Sequence, residues 1–414
     1  MEIPIFVYKQ NRDFFMRILH TADWHLGQTF YEYNRHDEHL HFLDWLCDKI
    51  EEKQINLLLI SGDVYDGPNP PAEAQKLFYS FLGKATRKNP RLQTIIIAGN
   101  HDSAARLEAP NPLLEAMNVT IRGTVRKDSS GQIDTHYLTI PIYEDNKLTA
   151  YCLAVPYLRQ GDYPPSETYS EGVQKLYKLL YDNIKDKGVP VIAMGHLQAT
   201  GSEISENDRT ERTVIGGVEG VSPEAFDQGI VYTALGHLHR SQRVSMRENI
   251  RYSGTPLPMS FAEKNNKSSV VMITMDNNEV VIEKENVPVY ASLISIPSKP
   301  HTLETVLSEI EKLTDGEADN RAPYLEIKLL MDSPDTSFKY KITEALNGKY
   351  VRLARISSVM HQQGESRIKA LDYEDLQKIE PLEVAMDYYR RKYGDNEMPD
   401  MMKQSLRNII EEIG

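Results

Sequence analysis

Seven side chains of this 414-residue chain have the types and spacing of metal donors, and each follows an apolar run. Asp23 and His25 follow 18–22, Asp63 follows 57–61, Asn100 follows 95–98, His196 follows 191–194, and His237 and His239 follow 231–235. Short apolar runs of this kind read as buried strands. Ligands of α/β proteins gather just past the carboxyl ends of strands. Strand ends whose donors are only Asp, Asn and His therefore read as one converging site.

Seven donors are too many for one ion and suit two. Imidazole with carboxylate favours borderline divalent metals such as Mn, Fe or Zn. No Cys lies in the motifs, which excludes a thiolate zinc site. If one carboxylate bridges, two ions roughly 3.5–4 Å apart clamp the attacking and leaving oxygens of a phosphoryl transfer. Taken singly, Asp-x-His or Gly-His could equally cap a turn. The order of all the motifs together carries the reading.

That order is D-x-H (Asp23, His25), G-D-x-x-D (Gly62, Asp63, Asp66), G-N-H-D (Gly99, Asn100, His101, Asp102), G-H (Gly195, His196) and G-H-x-H (Gly236, His237, His239). It resembles the calcineurin-like metallophosphoesterases element by element. The phrases from His20 to Gly27, from Gly62 to Asp66 and Gly254-Thr255-Pro256 resemble more closely the bacterial SbcD nuclease-subunit family, from Met16 to the C-terminus. The resemblance implies an α/β fold: a β-sandwich flanked by helices, then a small α/β cap domain and C-terminal helices. It implies a metal-dependent DNA nuclease, a hydrolase with exonuclease and endonuclease action at double-strand ends and hairpins. Such a protein serves ATP-dependent DNA repair, recombination and replication in an SbcCD-type complex. The implied partners are DNA, an SbcC-type coiled-coil ATPase and a second copy of the chain, as a homodimer within a heterotetramer.

By motif position, Asp23, His25, Asp63 and His239 hold one ion, and Asp63, Asn100, His196 and His237 the other, with Mn2+ as the expected metal. His101 is the expected catalytic side chain, stabilising charge or protonating the leaving oxygen. Asp66 is expected to accept a hydrogen bond from His101 and fix its tautomer. Archaeal relatives tend to carry a histidine at this position, so an exonuclease role assigned to that histidine does not carry over to Asp66. Asp102 reads equally well as structural. The competing reading is a stand-alone small-molecule metallophosphodiesterase, which shares the motifs but needs neither cap nor docking helices.

The elements that must position these residues set the rest of the reading. A net charge of −13 argues against a surface coated for nucleic acid. One exception is 235–270, where Arg240, Arg243, Arg247, Arg251, Lys264 and Lys267 face only Glu248 and Glu263. A solvated hairpin face and a phosphate track both fit, and the adjacent His237 and His239 favour the track. Arg240 and Arg243, with Arg35 and His36 at the substrate entrance, are the DNA-binding candidates. No apolar run is long enough to span a membrane, and no signal-peptide pattern opens the chain. Cys47 and Cys152 read as core thiols in a reducing cytoplasm.

Residues 1–15 carry no motif and read as a non-native or alternative start, expected to be dispensable. The expected domains are nuclease 16–288, cap 289–360, polar linker 361–380 and two helices in 381–414. Those helices either fold back on the cap or dock on the ATPase. Leu43, Leu46, Cys47 and Ile50 give 31–53 one apolar helical face, and His36, His39 and His41 read as solvated on this surface helix. Leu77, Phe78, Phe81 and Leu82 give 72–87 another, either core or, with 110–117, a homodimer contact. Residues 198–220 read as a long loop above His196. In the cap, strands are expected over 289–296, 325–329 and 350–356, with helices over 302–313 and 336–346.

Overall fold

The computed structural model describes residues 5–7, 15–203, 220–276, 279–331 and 338–360, and beyond them only 386, 389, 399 and 402–404. The chain divides into two units, Met1–Val359 and Met360–Gly414. In the second, the N–H groups of Met402 and Lys403 donate to the carbonyl of Pro399. The expected linker and C-terminal helices otherwise lie outside the described residues.

The first unit is built on two sheets. One runs in the order Ile5–Val7, Glu279–Asn286, Ser269–Asp276, Phe15–Thr21, Leu57–Ser61, Gln93–Ile97, Val119–Arg122. The last four strands are parallel neighbours, Leu19 beside Leu58, Leu59 beside Ile95 and Ile96 beside Ile121. The other sheet is Gln242–Val244, Arg247–Tyr252, Ile230–Gly236, Val191–His196, Lys147–Ala154, Thr139–Glu144. Here Met194 lies beside Ala234 in a parallel pair. The inner faces meet through Ile18, Leu57, Leu59, Ile95, Ile97, Cys152, Ile192, Met194 and Tyr232. This is the expected sandwich, and its central strands are continuously apolar because both of their faces are covered.

Helices cover the outer faces. His36–Glu52 and Ala72–Lys88 pack on the first sheet through Phe42, Leu43, Leu46, Leu77, Phe78 and Phe81. Each such side chain contributes roughly 1.5–3 kcal/mol by burial. The helix Ala72–Lys88 follows Pro71, has Glu73 in its first turn and ends on Arg87 and Lys88, so its charges complement the helix dipole. Its apolar stripe is core of this chain. Tyr169–Asp182 covers the second sheet, where the Tyr177 hydroxyl donates to the Met194 carbonyl at 2.7 Å.

Two expectations are corrected here. His39 is buried, not solvated: it shares a face with Phe42, Leu43 and Leu46, and its ring Nε2 lies 3.1 Å from the Trp24 carbonyl. The first cap strand runs Leu293–His301, later than expected, because Val289 is exposed in the connection. Its Pro297 is tolerated because this is an edge strand. The last described cap strand is Arg352–Met360. Residues Ile5–Val7 add an antiparallel edge strand beside Glu279, Val280 and Val281.

The cap sheet has Tyr324–Met331 between its two other strands, with helices Leu303–Glu311 and Phe338–Ala345. It joins the sandwich through a small cluster of Phe30, Phe261, Ala291 and Tyr324. A buried polar chain reinforces that joint. Arg35 donates to both carboxylate oxygens of Glu38, to Gln28 and to the carbonyl of Pro258, and the Tyr324 hydroxyl donates to Glu38 at 2.6 Å.

Candidate metal centre

The strands Phe15–Thr21, Leu57–Ser61, Gln93–Ile97, Val191–His196 and Ile230–Gly236 all end at one rim of the sandwich. The turns after Phe15–Thr21, Leu57–Ser61 and Ile230–Gly236 are sharp. Asp23, His25, Asp63 and His237 all have positive φ, at 55°, 46°, 50° and 100°. Such conformations are uncommon outside glycine and persist at functional sites when the surroundings enforce them. Here neighbouring turns do so: the N–H of Asp23 donates to the Gly62 carbonyl and that of His25 to the Asp63 carbonyl, both at 3.0 Å. The Thr255 hydroxyl donates to the Asp23 carbonyl at 2.8 Å. Glycine is required where motifs touch. A Cβ on Gly99 would lie 2.1 Å from Asp63 Oδ1, and one on Gly236 1.9 Å from the Ser61 carbonyl.

All seven expected donors come together. Asp63 Oδ2 sits between the two halves of the set, 3.2 Å from His196 Nε2 and 3.9 Å from His25 Nε2. On one side, Asp23, His25 and His239 bring one donor atom each within 4.8 Å of the others. On the other side, Asn100 Oδ1 lies 2.9 Å from His196 Nε2 and 3.0 Å from His237 Nδ1. The His196 ring donates through Nδ1 to the Ser61 carbonyl at 2.8 Å, which turns its Nε2 toward Asn100 and Asp63.

This donor set fits divalent cations. Asp23 Oδ2 and His25 Nε2 are fully buried without a hydrogen bond, and Asp63 Oδ2 makes none either. Buried carboxylate oxygens left so are costly. Here they face one another across the space where the halves meet. The electrostatics carry the same mark. Burial and the neighbouring Asp63 carboxylate lift Asp23 to about 6, against the pull of His196, His239 and His25. Burial would lower His196, but Asp63 and Asp23 raise it to about 9. Burial would raise Asp63, but His196, His25 and His101 hold it well below the usual carboxylate range. Burial and His196 push His237 down to about 3. The rim therefore demands positive charge, and protons and metal ions compete for it.

His101 lies beside this set, its N–H donating to Asp63 Oδ1 at 2.9 Å and its ring edge-on to His25. Its Nδ1 donates to the main-chain carbonyl of Asp66 at 2.9 Å. The expected role of Asp66 is thus corrected in its chemistry. The main chain, not the carboxylate, fixes the His101 tautomer, and Asp66 Oδ1 stands 3.4 Å from His25 Nδ1.

The DNA-binding candidates fare differently. Arg35 is 1% exposed and its guanidinium is used by Glu38, Gln28 and Pro258, so it holds the cap joint and does not reach a phosphate. His36 is half-buried, 3.1 Å from Glu73, in a cleft it lines with Asp37, Asp319 and Arg352. Arg240 and Arg243 are exposed but paired, with Glu203 and Glu248. Arg247 pairs with Glu224, and Arg251, buried, with Glu248. The basic stretch is offset by its own Glu248 and by Glu203 and Glu224 from elsewhere in the chain.

One site residue, Glu263, escaped the sequence reading, while Asp102 takes the structural role weighed for it. Asp102 is a staple: its carboxylate accepts from the N–H groups of Gly99, Val64 and Tyr65, joining the loops that carry Asp63 and Asn100. Glu263, read as a surface acid, is buried, and its Oε1 accepts from His239 Nδ1 at 3.2 Å. The only sequence signal for it was an acid standing beside a serine and two apolar residues in an otherwise basic stretch.

Two family models match the chain, Calcineurin-like phosphoesterase over residues 16–241 and Type 5 capsule protein repressor C-terminal domain over residues 289–393. A Rhodobacter capsulatus protein, named as the SbcD component of the nuclease SbcCD, is 34% identical over 357 residues, 83% of this chain and 87% of that protein. The Escherichia coli protein of that name is 29% identical over 413 residues, 95% of this chain and 97% of that protein. A Bacillus subtilis counterpart is 32% identical over 269 residues, 62% of this chain and 66% of that protein.

Proposed function

Since the chain belongs to the calcineurin-like phosphoesterases, as an SbcD-like nuclease subunit, we propose that it cuts DNA with two divalent ions, Mn2+ foremost, held by its seven rim donors. The observation that carries this is Asp63 Oδ2, buried between His25 and His196 with a donor group on either side. Asp23, His25, Asp63 and His239 would hold one ion, and Asp63, Asn100, His196 and His237 the other. When bound, such ions neutralise phosphate charge and lower the pKa of water.

The chain's own residues do the rest. His101, its Nδ1–H fixed by the Asp66 carbonyl, presents Nε2 to a phosphate ester oxygen and as the imidazolium hands its proton to the leaving oxygen. Asp102 keeps the Asp63 and Asn100 loops in register. Arg240 and Arg243 remain the exposed candidates for guiding the DNA backbone. The partner is an SbcC-type ATPase. A second copy docks near the exposed Leu113, giving the homodimer within a heterotetramer. Two buried thiols, neither in a disulfide, suit a cytoplasmic protein. No helix among the described residues is long and apolar enough to cross a membrane.

The test is cleavage of end-labelled duplex and hairpin DNA with Mn2+, for wild type and Asp63→Asn, with and without the ATPase and ATP. Cleavage by wild type alone, strengthened or redirected by the ATPase, is expected. Brisk Asp63-dependent hydrolysis of a small phosphodiester with no DNA cleavage would replace this reading with the stand-alone phosphodiesterase.

A further inference from the structure

The two halves of the donor set differ in what stands behind them. On the Asp23 side, both histidines have a carboxylate near Nδ1, hydrogen-bonded in the case of His239 and close by in the case of His25. His239 donates to Glu263 Oε1 at 3.2 Å, and Glu263 is itself fixed, its Oε2 accepting the Met259 N–H at 2.8 Å. His25 Nδ1 lies 3.4 Å from Asp66 Oδ1. On the Asn100 side the support is neutral. His196 is backed by the Ser61 carbonyl, and His237 turns its own Nδ1 toward Asn100. The direct donors repeat the contrast: the first half has Asp23 where the second has the amide of Asn100, and Asp63 is shared.

A carboxylate behind a ligating imidazole fixes its tautomer and raises its basicity, and losing such support typically costs ~10–100-fold in metal affinity. Formal negative charge close to a divalent ion acts in the same direction. We infer that the two ion sites are unequal: the Asp23–His25–His239 site takes its divalent cation first and more tightly, the Asn100–His196–His237 site fills second, and Glu263 and Asp66 are the positioning residues that set this order. The inference rests on the two-ion reading. It makes the second site the one whose filling follows the supply of metal, so the active fraction tracks the free ion concentration rather than total protein-bound metal.

Calorimetric titration of the metal-free, full-length protein with MnCl2 alone tests it. Two resolved steps are expected. Glu263→Gln and Asp66→Asn each remove a charge with little change of shape. Each should weaken the tighter step by about tenfold or more and leave the weaker step in place. His196→Gln should remove the weaker step only. Two equal steps in the wild type, or variants that shift only the weaker step or neither, would overturn the inference and leave the two-ion reading standing. A single ion per chain would overturn the two-ion reading itself. If Glu263→Gln, being buried, does not fold by thermal unfolding, the half-exposed Asp66→Asn decides alone.

Discussion

His101 donates through Nδ1 to the main-chain carbonyl of Asp66, while the Asp66 carboxylate stands beside His25. One residue thus serves two histidines by chemically different groups, and side-chain substitution separates them. His101→Ala should lower DNA turnover by ~10²–10⁴-fold, the size of a general-acid contribution, with bound metal unchanged. Asp66→Ala keeps the carbonyl, so its loss should fall on metal affinity. Metal analysis beside cleavage rates checks both, and loss of metal from His101→Ala would sink the assignment.

Gly99→Ala should disable the site with the fold retained. The added Cβ would lie 2.1 Å from Asp63 Oδ1 and 2.4 Å from the Asp63 nitrogen, so the shared carboxylate must move. Overpacking of this kind costs roughly 1–3 kcal/mol. Thermal unfolding should show a modest drop while Mn2+ binding is lost; unchanged Mn2+ binding would contradict the placement of Asp63.

The cap joint should respond unevenly to the loss of a donor and the loss of its acceptor. Tyr324→Phe removes one hydrogen bond to Glu38 and should cost about 1 kcal/mol. Glu38→Ala leaves the buried Arg35 charge without its carboxylate and should cost about 3–5 kcal/mol. Urea unfolding of both variants measures the difference, and equal losses would show that Arg35 finds another partner.

Acid should destabilise the fold in part through His39. Burial, and then the Arg35 charge, push this ring down to about 3 from an ordinary value near 6.5. The unfolded chain therefore binds a proton that the folded chain refuses between these values. Stability from this group is complete above about pH 6.5 and is lost as pH falls toward 3. Urea midpoints of wild type and His39→Gln between pH 7 and 4, both in chelator, should converge on acidification. Parallel curves would remove His39 from the account.

The sandwich and its donor set were legible because the same residues do both jobs: a buried parallel strand is an uninterrupted apolar run, and its donors follow it within a few positions. What hid was support arriving from afar. Glu263 reaches His239 from 24 residues on, and nothing local distinguishes a buried acid from a solvated one. Arg35 looked like an entrance cation because its acceptors, apart from Glu38, come from the distant Pro258 and from Gln28. His39 could have been placed, since its spacing to Phe42 and Leu43 puts it on the buried face of its helix. In the cap, Glu326 takes a polar position of a period-two strand yet is buried, accepting from Ser295 Oγ at 2.8 Å.

The rim donors are drawn from both sheets, and the last of them, His237 and His239, lie more than two hundred residues after the first. No shorter stretch of the chain carries a complete set. A polypeptide not yet extended to His239, or one whose sheets have paired wrongly, is therefore a blade without an edge. The proposed cutting centre is thus a property of the finished sandwich and of no single segment of it.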